Sequence, residues 1–214
     1  MNLTSVPLTY HWLIRKSIGR GIKTVLDVGC GDGEFISYIS KGEKWKITGV
    51  DQHKSSILEA EKKGVYKKIY KSDVVHLPHE VRKSKYDLVF CSQVLEHLSK
   101  RNGKAAIKEW EKLSKRRIII TTPVKFIPYD RIEKDEKSEN PYNIHLSGWA
   151  PEEFLKLGYS VRGQGSKLVY GKNGLLRKFP RLYWPPLILL SYLISILIYY
   201  RPYLATYLIA VKNK

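Results

Sequence analysis

The chain has 214 residues, of which 43% are hydrophobic and 27% are charged. This length suits one sizeable core, and the composition excludes wholesale disorder. The formal net charge of +18 favours an anionic partner, such as a membrane surface or a nucleic acid. Two cysteines without metal or disulfide spacing favour a reducing cytosol. Because Arg15 and Lys16 directly follow the first apolar pair, we expect no signal peptide and predict a cytoplasmic protein.

The first two elements surround a glycine-rich turn. Apolar residues at helical spacing predict an amphipathic helix within residues 8–20. Residues 25–28 then predict a buried strand, and Gly29, Gly31 and Gly33 follow it at alternate positions. Glycines let a ligand lie against the main chain, and the next residues return to helical spacing. A strand, a glycine turn and a helix in this order are typical of the ligand-binding edge of an open α/β sheet.

Further strands end in polar residues. We predict strands two to five at residues 45–51, 68–72, 86–92 and 117–123. Asp51 ends the second strand, 22 residues after Gly29, where a carboxylate can accept hydrogen bonds from both hydroxyls of a ribose. Asp73 follows the third strand. Because strands alternate with helices, we predict a doubly wound α/β sheet in one domain spanning residues 1–214.

The alternation breaks over residues 124–150. The charged run 130–137 indicates either a solvated surface loop or a mobile lid beside the ligand-binding edge, and both interpretations stay open. A short helix at 151–157, a sixth strand at 159–163 and a seventh at 205–211 complete the prediction.

The segment 174–203 is predicted to be a basic, apolar helical insertion between strands six and seven. Its apolar run 187–200 would form a helix of about 21 Å, shorter than the roughly 30 Å hydrocarbon core of a bilayer. Aromatic and basic side chains flank the run. This pattern favours either association of residues 182–202 with an anionic membrane surface or a segment that covers an apolar substrate. A buried helix or a dimer interface is the alternative.

Together these signals, over residues 20–164, resemble the class I S-adenosylmethionine-dependent methyltransferases, in particular the type 11 group. The resemblance implies a Rossmann-like seven-stranded sheet with an antiparallel seventh strand, and S-adenosyl-L-methionine as cofactor. It implies that Asp27 and the loop hold the amino end of the cofactor, Asp51 the ribose, and Gln52 or His53 the adenine. The implied cofactor-binding residues are Asp27, Gly29, Cys30, Gly31, Gly33, Asp51, Gln52, His53, Ser72, Asp73, Val74, Ser92 and Gln93.

An oxidoreductase that uses NAD(P) or a nucleotide sugar is the alternative from another enzyme class. The nicotinamide fingerprint, however, needs a glycine where this chain has Glu34. A binding module with a methyltransferase site that no longer turns over is a further alternative.

Three side chains are candidates for acting on the methyl acceptor, namely Glu96, His97 and His145. If residues 93–97 form a helical turn, Gln93, Glu96 and His97 share one face. The pattern is similar to the Glu-x-x-Glu-His and later His that hold a divalent metal in some RNA 2'-O-methyltransferases. Here Gln93 replaces the first carboxylate, and a neutral amide is a poorer ligand for a hard cation, so we predict no metal ligands and a base or orienting role for a histidine.

We therefore predict a methyltransferase that acts on a small-molecule or lipid-like, membrane-proximal acceptor. The alternative within this enzyme class is an RNA or nucleoside 2'-O-methyltransferase, which the basic composition permits.

Overall fold

The computed structural model describes residues 6–126, 140–171 and 173–214. The strands are β1 (Thr24–Val28), β2 (Lys46–Asp51), β3 (Tyr66–Lys71), β4 (Tyr86–Ser92), β5 (Ser114–Pro123), β6 (Ser160–Ser166) and β7 (Ala205–Asn213). They form one seven-stranded sheet in the order β3-β2-β1-β4-β5-β7-β6. Strands β1 to β5 pair in parallel, whereas β7 pairs antiparallel to both β5 and β6. The predicted doubly wound sheet with an antiparallel seventh strand is confirmed.

The helices connect successive strands. They are α1 (Tyr10–Ile18), α2 (Glu34–Ile39), α3 (Lys54–Lys62), α4 (His79–Lys83), α5 (Lys100–Leu113), α6 (Pro151–Lys156), α7 (Lys167–Tyr170), α8 (Leu175–Lys178), α9 (Trp184–Leu193) and α10 (Ser195–Tyr200). Single 3₁₀ turns lie at Leu95–His97, Pro141–Asn143, Arg181–Tyr183 and Pro202–Leu204. The charged run 130–137 of the predicted lid lies outside the described residues.

Two apolar clusters cover the two faces of the sheet. Side chains of a strand alternate between its faces, so Val25 and Leu26 of β1 enter different clusters. One cluster receives α1 and α2 through residues such as Ile14 and Ile36. The other receives α5 and α6 through Trp110 and further buried residues. Because both faces are covered, the carboxyl edge of the parallel strands is the open part of the sheet.

The prediction of one continuous helix over residues 187–200 is wrong. Helix α9 begins earlier, at Trp184, because prolines in a first helical turn lose no intrahelical hydrogen bond. It ends at Leu193, and α10 starts at Ser195. Among the described residues, no helix has the length and apolar character needed to cross a membrane.

Helix α10 packs against β6 at Gly163. A Cβ atom added to Gly163 would lie 2.5 Å from the carbonyl oxygen of Ile198 and 2.7 Å from the Cβ of Ala205. Only a residue without a side chain permits this approach, so Gly163 allows α10 to lie directly against β6.

We expect Gly163→Ala to lower the free energy of unfolding by about 1 to 3 kcal/mol, because the added methyl group overpacks the contact between α10 and β6. Urea unfolding followed by circular dichroism measures this change. The control is Gln164→Ala, at the next position of the same strand, which should change stability by less than about 1 kcal/mol. Equal stability of the two variants would contradict the contact.

Candidate active site

A cavity of about 530 Å³ opens at the carboxyl edge of the sheet. Its volume lies within the range of small-molecule sites, roughly 300 to 1,000 Å³. The walls come from the ends of β1, β2 and β4, from the segment after β3, from α1 and from residues 140–146. Strand β1 lies between β2 and β4, so the cavity sits where the chain order of the strands reverses. Open α/β sheets bind their ligands at this position.

The glycine turn after β1 forms one wall of the cavity. Gly29, Gly31 and Gly33 have φ angles of 70°, 53° and 72°, which favour glycine. A Cβ atom at Gly29 would lie 2.3 Å from a methyl group of Val94, whereas one at Gly31 would meet no atom within 4 Å. The turn is therefore packed against protein at Gly29 and open to a ligand at Gly31.

The carboxylate of Asp51 holds this turn and lines the cavity. Its Oδ2 accepts a hydrogen bond from the Gly31 N–H at 2.8 Å, and its Oδ1 accepts one from the His53 N–H at 2.8 Å. A carboxylate has about four acceptor positions, so each oxygen retains one for a further donor. Two neighbouring hydroxyl groups of a ligand match this arrangement.

Asp27 lies deeper, with 4% of its surface exposed. Its Oδ2 accepts a hydrogen bond from the Tyr66 hydroxyl at 2.7 Å. Burial raises the pKa of Asp27 to about 7, although the bond from Tyr66 opposes this effect. The Tyr66 ring fits only because Gly33 has no side chain, since a Cβ there would lie 2.8 Å from the ring. The sequence prediction missed Tyr66, because nothing in the alternation of β3 marks this tyrosine as facing β1.

A polar network lies at the ends of β4 and β5. The Tyr10 hydroxyl donates to Oγ1 of Thr121 at 2.6 Å and lies 3.2 Å from Oγ of Ser92. The amide of Gln93 reaches Thr121 Oγ1 at 3.3 Å, and Gln93 has a φ of 56°, unusual for a residue with a side chain. Burial raises the pKa of Tyr10 to about 12, so its hydroxyl stays protonated. The sequence prediction missed Tyr10 and Thr121, which come from distant segments.

The predicted acceptor residues Glu96, His97 and His145 are brought together. One ligand atom from each lies within 4.8 Å of the others. Glu96 is buried, and its Oε2 accepts a hydrogen bond from Thr122 Oγ1 at 3.0 Å. Its main-chain carbonyl accepts bonds from the N–H groups of Leu146 and Ser147. These main-chain bonds hold the segment that carries His145 against the 3₁₀ turn that carries His97.

The ring of His97 is oriented by the main chain. Its Nδ1 lies 3.2 Å from the carbonyl oxygen of Ile144, and a carbonyl can only accept, so Nδ1 carries the proton. The lone pair is therefore on Nε2. Burial lowers the pKa of His97 below its usual value of about 6.5, and this effect outweighs the opposing hydrogen bond to the Ile144 carbonyl, so the neutral ring is favoured at neutral pH. Burial also raises the pKa of Glu96 to about 7.

Gln93 does not share a helical face with Glu96 and His97, so that expectation is wrong. The turn spans only Leu95–His97, and the left-handed backbone at Gln93 directs the chain away from it. The Gln93 amide joins the Tyr10 and Thr121 network instead.

Most of the predicted cofactor-binding residues line the cavity. These are Asp27, Gly29, Cys30, Gly31, Asp51, Gln52, Asp73, Val74, Ser92 and Gln93. Three others lie away from its wall. Gly33 makes room for Tyr66, Ser72 donates from its hydroxyl to the His76 carbonyl, and His53 caps α3 by accepting from the Ser56 N–H. Of the two adenine candidates, the structure thus places Gln52 at the cavity.

Comparison with known proteins identifies the domain. A methyltransferase-domain family matches residues 25–117, which include the glycine turn, Asp51 and Asp73. A solved S-adenosylmethionine-dependent methyltransferase from Archaeoglobus fulgidus superposes with a TM-score of 0.57, covering 95% of this chain and 94% of that one at 19% identity. Residues 25–117 thus match a methyltransferase domain, and the chain has the fold of this solved methyltransferase. The resemblance to the type 11 group is thereby confirmed.

Two further similarities cover only part of the other protein. A ubiquinone biosynthesis O-methyltransferase from Vibrio cholerae is 33% identical over 96 residues, which cover 43% of this chain and 38% of that protein. The aligned region thus spans well under half of that curated relative. The small RNA methyltransferase HEN1 superposes with a TM-score of 0.59 at 16% identity, covering 95% of this chain and 24% of that one. These structural likenesses establish the shared fold.

The raised pKa of Asp27 predicts how stability depends on pH. An aspartate in an unfolded chain has a pKa of about 3.9, so between about pH 4 and 7 the folded protein holds a proton that the unfolded chain has released. The contribution of Asp27 to the free energy of unfolding is largest below pH 4. It decreases by about 1.4 kcal/mol per pH unit as the pH rises to about 7. We expect Asp27→Asn to gain stability relative to wild type over this interval, as measured by urea unfolding.

Asp32→Asn is the matched control for this experiment, because Asp32 is an exposed acid of the same turn. Its unfolding free energy should follow that of the wild type with pH. A difference between Asp27→Asn and wild type that stays constant from pH 4 to 8 would contradict the raised pKa.

Proposed function

We propose that the protein transfers a methyl group from S-adenosylmethionine to a hydroxyl group of a lipid-like acceptor. The observation that carries the proposal is the set of carboxylates at the ends of three neighbouring strands. Asp27, Asp51 and Asp73 line one glycine-walled cavity in a methyltransferase domain. No two of them have the same surroundings, so each suits a different part of one extended nucleoside ligand.

The residues of the cavity fit this cofactor. Asp27, buried and accepting one bond from Tyr66, suits the cationic amino group of the methionine part. Asp51 retains acceptor positions for the two ribose hydroxyls. Val74 and Gln52 line the part of the cavity that suits the adenine ring. When bound, the cofactor supplies an electrophilic methyl group on a sulfonium sulfur.

Acceleration of an in-line methyl transfer depends mainly on holding the nucleophile in position. Tyr142, Ile144 and Leu146 line the acceptor side of the cavity, and all three are partly exposed there. They offer an apolar surface on which an acceptor can lie while water is kept away. This surface supports a lipid-like acceptor, and the curated relatives named for O-methylation in ubiquinone biosynthesis are consistent with it.

His97 is the proposed base. Its ring lines the cavity, and its Nε2 carries the lone pair that takes the proton from the acceptor hydroxyl. The Ile144 carbonyl orients the ring through Nδ1. Glu96 stands beside it, and its carboxylate would stabilise the positive charge that the ring gains.

A second candidate function follows from the same cluster. The ligand atoms of Glu96, His97 and His145 are close enough to share one divalent cation, and His97 donates its other ring N–H to a carbonyl, as metal-binding histidines commonly do. A cation there would lower the pKa of a bound nucleoside 2'-hydroxyl. Together with the net charge of +18, this favours RNA or a nucleoside as the alternative acceptor.

We expect Asp51→Ala to weaken binding of S-adenosylmethionine by a few kcal/mol, since a hydrogen bond to a charged group contributes about 1.5 to 3 kcal/mol. Isothermal titration calorimetry gives the dissociation constant. Glu61→Ala is the control, because it removes an equal charge from an exposed position of α3, outside the cavity. Equal affinities for Asp51→Ala and wild type would contradict the cofactor assignment.

We expect His97→Ala to reduce the rate of methyl transfer by about 10²- to 10⁴-fold while leaving cofactor affinity unchanged, because a base acts on the acceptor alone. Transfer of labelled methyl groups from the cofactor into lipid and RNA extracts provides the assay. His79→Ala, at an exposed position of α4, should retain full activity.

Chelation separates the two candidate functions. If methylation of a lipid fraction continues in the presence of EDTA, this result supports His97 as the base. Turnover on RNA that requires added Mn²⁺, together with Mn²⁺ binding that His145→Ala abolishes, would establish the second candidate instead.

A further inference from the structure

The segment between β6 and β7 forms an exposed apolar surface. We call residues 181–204 the apolar platform; it contains α9, α10 and the single turns at either end. More than half of the large apolar and aromatic side chains that are exposed in the described residues belong to it. Leu182 and Leu193 are 82% and 68% exposed. Contiguous exposed apolar surface of this kind marks a site of interaction.

Helix α9 differs from a helix that packs on a protein core, because its polar residue is buried and most of its apolar residues are exposed. Its only buried residue is Ser191, which is 4% exposed and accepts a hydrogen bond from the Ser166 N–H at 3.3 Å. Ile188, Leu189, Leu190 and Leu193 are exposed, and the helix contains no charged residue. A helix that is apolar all round is normally buried in protein or lipid. Its outer face therefore suits contact with lipid or with another apolar protein surface.

The charges around the platform indicate which kind of apolar partner it contacts. From residue 154 to 214 the sequence has ten Lys or Arg and no Asp or Glu. Arg177, Lys178 and Arg181 precede α9, and Arg201 follows α10. Glu152 lies beside Tyr203, but the other charged residues named here at the platform are cations. An apolar surface with this excess of positive charge matches a bilayer that contains anionic lipids, whereas a surface between two copies of this chain would bring like charges together.

Aromatic residues lie at both ends of the platform, where an interfacial helix needs them. Tyr183 and Trp184 stand at the start of α9, and Tyr200 and Tyr203 at the end of α10. The Arg181 guanidinium lies 5.5 Å from the centre of the Trp184 ring. Tryptophan, tyrosine and arginine are suited to the boundary between acyl chains and headgroups. Helix α9 has 10 residues, and helix α10 has 6. They are therefore about 15 Å and 9 Å long, enough to lie in one leaflet but not to span the bilayer.

The platform is on the same edge of the sheet as the cavity. Strand β6 runs parallel to β5, so it ends at the carboxyl edge, and β7 starts there. Helix α10 and helix α1 line a shared groove through Tyr199 and Trp12. Two residues before Trp12, Tyr10 lines the cavity, and its ring lies 6.0 Å from that of Tyr207 on β7.

We propose that the apolar platform docks the protein on the surface of an anionic phospholipid bilayer, with the leucines of α9 and α10 inserted among the lipids. Docking in this orientation places the mouth of the cavity beside the membrane. The delivery of a lipid-like acceptor to the cavity rests on the proposed function, whereas docking itself does not.

Vesicle flotation tests the proposal. The full chain is mixed with vesicles of phosphatidylcholine alone or with phosphatidylglycerol, in low and high salt. We expect flotation with the mixed vesicles, and Leu193→Glu/Leu197→Glu should weaken it by about tenfold or more, because two inserted side chains become charged. Arg177→Gln/Arg181→Gln should weaken binding to the mixed vesicles and reduce its salt dependence.

Leu58→Glu is the matched control, since Leu58 is an equally apolar, 49% exposed residue on α3, away from the platform. It should float like the wild type. Circular dichroism confirms that each variant is folded, and titration with S-adenosylmethionine separates a failure of docking from a failure of the proposed cofactor site.

Three outcomes would overturn the proposal. The first is a wild type that floats with neither type of vesicle, and the second is a double glutamate variant that floats as well as the wild type. The third is a dimer in the absence of lipid that Leu193→Glu/Leu197→Glu converts to a monomer without a change in flotation, which would assign the platform to a second copy of the chain.

Discussion

The site depends on the hydrogen bonds that the Asp51 carboxylate accepts from the Gly31 and His53 N–H groups. They connect the turn after β1 to the end of β2, two strands that are already paired in parallel. Because Gly31 sits in a left-handed conformation with open space beside it, the turn needs an external anchor to keep its shape. One carboxylate therefore shapes the cavity wall and also presents acceptor positions to the ligand.

The cavity also contains carboxyl groups that are costly to bury. Asp27 and Glu96 each accept a single side-chain hydrogen bond, from Tyr66 and Thr122 respectively. Burial raises the pKa of each group to about 7, so near neutral pH both carboxyl groups are close to the midpoint of their titration. Such groups reduce the stability of the folded domain, and a ligand that carries a positive charge or a donated proton compensates for that loss. The energetic cost of burying these two carboxyl groups therefore arises within the cavity, where a bound ligand can offset it.

Helices α9 and α10 expose much of the apolar surface of the molecule. Helix α10 adds Ile198 to one of the two clusters that cover the sheet, and its close approach to Gly163 attaches it to β6. In α9 only Ser191 is buried, so most apolar side chains of this helix face outward. Both helices lie in the connection between β6 and β7, which begins and ends at the carboxyl edge of the sheet. This connection therefore places exposed apolar surface on the same edge as the cavity.

Much of this could be predicted from the sequence, because it is encoded by local pattern. Periodicity and glycine spacing predicted the alternating strands and helices. Asp51 and Asp73 were predicted from their positions at strand ends, and Asp27 from the family resemblance. The candidates Glu96, His97 and His145 were found by residue type. Tyr66, Tyr10 and Thr121 were not found, and neither the orientation of His97 nor the break between α9 and α10 was predicted.

These missed features depend on contacts between segments far apart in the chain. Tyr66 reaches Asp27 across 39 positions, and Tyr10 reaches Thr121 across 111. The sequence by itself determined the elements, their order and the acids at the strand ends, because these follow from the backbone periods of helix and strand. Only the tertiary structure decided which side chains meet, since that depends on how the sheet and its helices pack in three dimensions.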